Sequence, residues 1–356
     1  MIKKDGLFLF FYRLFASFAI KYVFLISDRM KRLLLLVLWV WVACFTAASH
    51  NYMFKHLEVK DGLSNNQVNA IYKDSHGFMW FGTASGLNRY DGYDTRIYRS
   101  LKDDGNSLPD SYIEDIQEDA TGNLWVRTGA GYAIYNSVSD IFDRNVEGWM
   151  WHIGISGNPS TVYIDSEKIF WIYVAGKGIY CYKPGQENAV MVAGTDTLLT
   201  EMNITDMTEC SEGILLAFGN GVLACLDREK LNVKWTFDGI ASQWGKNQSE
   251  TFTLFVDSHE RVWMYSVEGM WVYHLPKKSW EVRSVRSDRS NMVRAISQDK
   301  YGNIWIGRDQ DGIEVIGLDG ESVRLMNDPN NERTISNNTV TVLYEDNVGT
   351  MWVGTY

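Results

Sequence analysis

Side chains able to do acid–base, nucleophilic or metal chemistry are sparse and scattered in these 356 residues. The six histidines stand at 50, 56, 76, 152, 259 and 274. His76 and His259 each follow an Asp-Ser pair and read as turn residues. His56 and His274 flank strands, and His152 beside Trp151 is the one candidate for an isolated acid or base. Beyond residue 48 the cysteines are Cys181, Cys210 and Cys225, with no C-x-x-C pair and no histidine at ligand spacing. They predict neither a zinc site nor a disulfide framework and read as small buried hydrophobes, a Cys210–Cys225 bridge being left open. No catalytic residue, metal or cofactor is expected. Binding chemistry is better represented. Arg127, Trp149, Trp151, Tyr173, Lys177, Trp244, Tyr265, Glu268, Arg308, Asp309 and Asp311 are aromatic or charged and fall in loops or connectors. Aromatic faces suit the C–H surfaces of sugars, and carboxylates and guanidinium groups suit their hydroxyls. The plainer reading makes them ordinary loop residues, or contacts to another domain or subunit.

A repeat must position these residues. Aspartate and tryptophan recur six apart in DSHGFMW (74–80), DATGNLW (119–125), DSEKIFW (165–171), DSHERVW (257–263), DKYGNIW (299–305) and DNVGTMW (346–352). A degenerate copy, ECSEGILL (209–216), puts Leu216 where tryptophan is expected. The anchors Trp80, Trp125, Trp171, Leu216, Trp263, Trp305 and Trp352 are 45, 46, 45, 47, 42 and 47 residues apart. An alternating strand precedes each aspartate, as in VNAIYKD (68–74). A turn with Gly77, Gly122, Gly302 or Gly349 follows, then a strand carrying the tryptophan. Third strands open near glycine at 86, 131, 178, 221, 269 or 312, and looser fourth strands follow. The expected fold is all-β: a seven-bladed β-propeller of four-stranded antiparallel blades over 49–356, its last blade incomplete. Asp74, Asp119, Asp165, Asp257, Asp299 and Asp346, with the tryptophans, are expected to be structural because nearly every blade has them. MFKHLEV (53–59) is the expected closing strand. With two strands in its seventh blade, the ring is not expected to close normally.

Lysine and arginine total 34 against 44 acidic residues, a net charge of −10. The first 48 residues carry 7 basic and 2 acidic side chains, so the remainder holds 27 against 42, or −15. Such a balance excludes nucleic acid and anionic membrane surfaces as expected partners. Met30-Lys31-Arg32, the apolar run 33–45 and TAAS (46–49) read as a signal peptide cleaved near Ala48. Translation is then expected to begin at Met30, with an uncleaved N-terminal anchor as the alternative. Either way the rest is expected to be exported.

The stretch 57–98 resembles the first blade of the two-component-regulator propeller repeat, in the periplasmic sensor region of hybrid two-component receptors of Bacteroidetes. DGLSNN (61–66), GFMWFGT (77–83), GLNRYDGY (86–93) and NSLPDSYI (106–113) fit that pattern in order. The likeness is strongest in blades one, two, six and seven. It implies the N-terminal sensor propeller of a receptor that continues with a second propeller, a β-sandwich, a membrane helix and kinase and regulator domains, here expected to be truncated. It further implies an oligosaccharide ligand, control of glycan-utilisation genes, a homodimeric partner, a periplasmic location and no enzymatic activity in this region. A propeller lyase and a protein-binding scaffold are the alternatives.

Overall fold

Each repeat folds locally because one aspartate and one tryptophan act as a single unit. In blade 1, Asp74 Oδ1 accepts the amides of His76 (3.0 Å) and Phe78 (2.9 Å), and Oδ2 accepts the indole N–H of Trp80 at 2.7 Å. The indole–carboxylate bond recurs at Asp119–Trp125 (3.3 Å), Asp165–Trp171 (3.0 Å), Asp257–Trp263 (2.9 Å), Asp299–Trp305 (3.0 Å) and Asp346–Trp352 (3.1 Å). The six-residue spacing is therefore the span of one turn closed by one side-chain bond. The turn residue must take positive φ. Gly77 does so at +93°, and Lys168 and Glu260 hold the same place in blades 3 and 5 at +63° and +58°.

The computed structural model describes residues 52–194, 203–240, 250–285 and 292–356. The signal-peptide region and Trp244 lie outside the described residues. Six four-stranded antiparallel blades span 68–98, 113–143, 161–191, 204–237, 253–285 and 293–325. A two-stranded sheet follows, Val340–Glu345 paired with Met351–Thr355. Strand order within every sheet is sequential, so each blade is a meander. In blades 4 and 6 the third strand begins at Leu223 and Ile313, just past the expected glycine.

Neighbouring blades bury the anchors between them. Trp80, Trp125, Trp171, Trp263 and Trp305 are all 3% exposed or less. Each removes roughly 200 Å² from water, worth about 5 kcal/mol before the cost of ordering the chain. In blade 4 the anchor is Leu215 and not Leu216. Its hairpin turns through Ser211 and Glu212 alone, Cys210 pairing with Gly213, so the register moves by one residue. Thr208 faces Leu215 as Tyr72 faces Trp80. Leu215 packs forward onto Trp271 and Met264 of blade 5, whereas Leu216 packs back onto Trp171. Cys181, Cys210 and Cys225 are free thiols, the last two in one apolar cluster.

Inner strands are stitched by side chains. Asn69 donates to the Ile113 carbonyl (3.1 Å), Gln117 to Val162 (2.9 Å), Thr205 to Phe252 (2.8 Å) and Thr341 to Val68. The last of these joins the seventh sheet to the first blade. Tyr344 Oη accepts the Lys73 amide (3.2 Å), and Phe81 packs on Trp352 with ring centroids 5.4 Å apart. The expectation of an unclosed ring is thus corrected. The two inner strands of the seventh sheet already reach both neighbours, Thr341 bonding to Val68 of blade 1 and Val340 packing against Gly307 of blade 6. Residues 53–59 do not form a closing strand either. The Phe54 amide donates to the Arg333 carbonyl (3.0 Å), and His56 Nε2 sits 2.7 Å from that of Thr334. A short 3-10 turn, Val59–Asp61, and Gly62 at φ +109° then redirect the chain into blade 1.

Candidate ligand-binding site

One pair of equivalent positions differs systematically around the ring. On the inner strands stand Ala70, Asp115, Thr161, Asp206, Thr253, Ala295 and Val342. Opposite them on the second strands stand Gly82, Arg127, Tyr173, Ala217, Tyr265, Gly307 and Gly354. In blades 6, 7 and 1 both positions are small or apolar, and glycine is required. A Cβ on Gly82 would lie 2.5 Å from Ile113 Cγ2, and one on Gly307 2.6 Å from Val340 Cγ1. In blades 2 to 5 at least one of the two positions is polar or bulky instead.

The two aspartates in that arc were not among the residues singled out from the sequence. Their signal was available: IEDIQE (113–118) and ITDMTE (204–209) place an acid where VNAIYK (68–73) and VRAISQ (293–298) have alanine. Asp206 accepts the amides of Met207 (2.8 Å) and of Leu254 in the next blade (2.8 Å). Asp115 accepts the Gln117 amide group at 2.7 Å. Both aspartates are half-buried. Burial pushes the Asp206 carboxyl up to about 7, against the two amides, with Asp115 reinforcing the rise and Arg127 opposing it. Burial likewise raises Asp115, offset by Gln117, Ile116 and Arg127. Arg127 itself pairs with Glu114 at 2.8 Å. This cluster can exchange a proton near neutrality and both give and take hydrogen bonds, the pattern that hydroxyl-rich ligands require.

The other expected site residues are dispersed. Tyr173 and Tyr265 are 3% and 6% exposed and fill space between blades. The Tyr173 hydroxyl lies 3.3 Å from Asn203 Oδ1, and burial raises the Tyr265 phenol well above its ordinary range. Trp149 and Trp151 belong to a helix, α1 (Val146–His152), where the sequence suggested a plain connector. Trp149 packs into the wedge between blades 2 and 3, its ring 4.6 Å from Trp125 and 5.2 Å from Phe170, while Trp151 is 63% exposed. Lys177 ties its loop to Ser156 (2.7 Å). Glu268 is half-buried, its amide donating to Ser266 Oγ (3.1 Å). Arg308 pairs with Glu314 (2.6 Å), Asp309 with Arg294 (3.2 Å) and Asp311 with Arg324, forming a charged strip on blade 6.

Comparison with known proteins places this architecture. The two-component regulator propeller family matches residues 62–85, 107–130, 287–307 and 334–356, the four blades that keep the pattern most closely. The chain therefore carries two-component regulator propeller repeats. It is 40% identical over 62 residues to histidine kinase P4 of Formosa agariphila, a match covering 17% of this chain and 4% of that protein. It superposes on the extracellular domain of a hybrid two component system from B. thetaiotaomicron with a TM-score of 0.66 at 19% identity, covering 86% of this chain and 41% of that one. The extracellular domain of a one component system from the same organism gives 0.67 at 18% identity, covering 86% and 39%. The chain thus spans about two fifths of the solved relatives and a small part of the curated one.

Proposed function

We propose that this chain is the exported ligand-sensing propeller of a two-component receptor and recognises an oligosaccharide without transforming it. The repeat supports the receptor context, and the extracellular setting of the similar structures supports a periplasmic location. The observation that carries the reading is the one-sided inner edge, with Asp115, Asp206 and Arg127 on an otherwise uniform scaffold. Binding there would bias how this propeller sits against a second propeller, a sandwich domain or a dimer partner, because close-packed blades transmit little by internal motion. The output would be control of glycan-utilisation genes.

Calorimetric titration with a panel of neutral and acidic oligosaccharides tests this. At least one member is expected to bind, and Arg127→Ala and Asp206→Asn are each expected to weaken it about tenfold, or 1.4 kcal/mol. Absence of binding across the panel, or binding indifferent to both substitutions, would sink the reading.

A further inference from the structure

On the face of the ring where the Asp-to-Trp turns lie, blades 5 and 6 part to leave a cleft of about 400 Å³. That size is within the usual range for small-molecule sites. Trp263, Ile304, Ile316 and Leu318 give it an apolar lining, and Arg261, Lys277 and Arg283 a basic one, with His259 and His274 alongside. The Arg261 and Arg283 guanidinium carbons lie 5.4 and 5.8 Å from the Trp263 ring centroid, so two cations converge on one indole.

Each arginine is held by a carboxylate through Nε, Arg261 by Asp257 at 2.5 Å and Arg283 by Glu281 at 3.2 Å. Among the described residues, neither has a recorded protein acceptor on its terminal nitrogens, and Lys277 has no carboxylate partner. Arg261 has a structural duty, since Asp257 also clamps Trp263. Arg283 and Lys277 have none of that kind. The lining thus carries three permanent cations and no carboxylate, two of the cations being held by Asp257 and Glu281 from beside it, in a chain whose net charge is −10. Such a local reversal, built over exposed apolar surface that includes Leu318 at 68% exposure, is unlike a merely solvated face.

We infer that this cleft binds a small cyclic oxyanion, a ring bearing a carboxylate or sulfate group. The ring lies against Leu318 and the half-buried Ile316, over the arginines that cover the buried Trp263, and the oxyanion accepts hydrogen bonds from Arg283 and Lys277. The site is separate from the Asp115–Asp206–Arg127 cluster, and the inference does not depend on the sensing role of that cluster.

The test is calorimetric titration of the chain with galacturonate, with galactose as neutral control and sodium sulfate as competitor. Galacturonate is expected to bind, galactose to give no heat, and sulfate to displace galacturonate. The double variant Arg283→Ala/Lys277→Ala is expected to weaken galacturonate about tenfold or more. Both side chains are solvent-accessible, and Glu281→Gln supplies a second test in the opposite direction, freeing Arg283 and tightening binding. Equal affinity for galactose, no binding of galacturonate, failure of sulfate to compete, or an unchanged affinity in the double variant would each overturn the inference. A panel oligosaccharide that still binds through Arg127 and Asp206 would leave the sensing proposal standing while this one fell.

Discussion

Blades 6, 7 and 1 and blades 2 to 5 use the same strand order and nearly the same clamp, yet they solve the inner edge in opposite ways. In the first arc, glycine in the second strand lets the next blade approach until no Cβ would fit, as at Gly82 against Ile113 and Gly307 against Val340. In the second arc that glycine becomes Arg127, Tyr173, Ala217 or Tyr265, and the partner position takes Asp115, Thr161, Asp206 or Thr253. Seven copies of one element need not be seven copies of one environment. The uniform arc closes the ring, and the varied arc carries the ionisable groups.

If the clamp is common to both arcs, deleting it should cost alike in each. Trp80→Ala and Trp171→Ala are each expected to lose about 4 kcal/mol, read as the shift of a urea unfolding midpoint, because each empties a buried wedge and strands a carboxylate. A large inequality between them would break the equivalence. The steric difference between the arcs is tested by Gly82→Val, which drives a stiff side chain into Ile113 and is expected to cost about 3 kcal/mol in the same assay.

The electrostatic difference is tested by pH. Asp206 has a folded pKa near 7, raised above its unfolded value near 4. The folded state therefore holds the proton more tightly, and the associated stability is present below about pH 4 and lost as pH rises through 7. The carboxylate is partly open to water, so the expected loss is about 2 kcal/mol, half the full linkage value. In Asp206→Asn that slope should flatten in unfolding curves taken from pH 4 to 8. Smallest is a backbone effect away from the inner edge of either arc. Lys278 adopts φ +49° on the surface of blade 5, and Lys278→Gly is expected to raise stability by up to about 1 kcal/mol in thermal unfolding.

How far the sequence could be read follows from where each interaction lies along the chain. The Asp–Trp clamp closes within six residues, so its spacing survives as a visible repeat, and the four-stranded meander, its strand order and the structural role of the tryptophans follow from it. Blade 4 was misread by one residue because a turn shortened to Ser211–Glu212 moves the anchor without leaving another mark. Trp149 looked like a free loop aromatic because nothing in GWMWH (148–152) announces a two-turn helix docked on Trp125.

The chain's local chemistry by itself thus determined that the protein is a wheel of repeated β-meanders, since hydrogen bonds between near neighbours specify each unit. Only the tertiary structure decided which residues share a site. Asp115 and Asp206 stand 91 positions apart, and Arg283 and Leu318 stand 35 apart in different blades. Their meeting depends on how blades are rotated and spaced about the ring, a property of packed volumes that no short stretch of sequence contains.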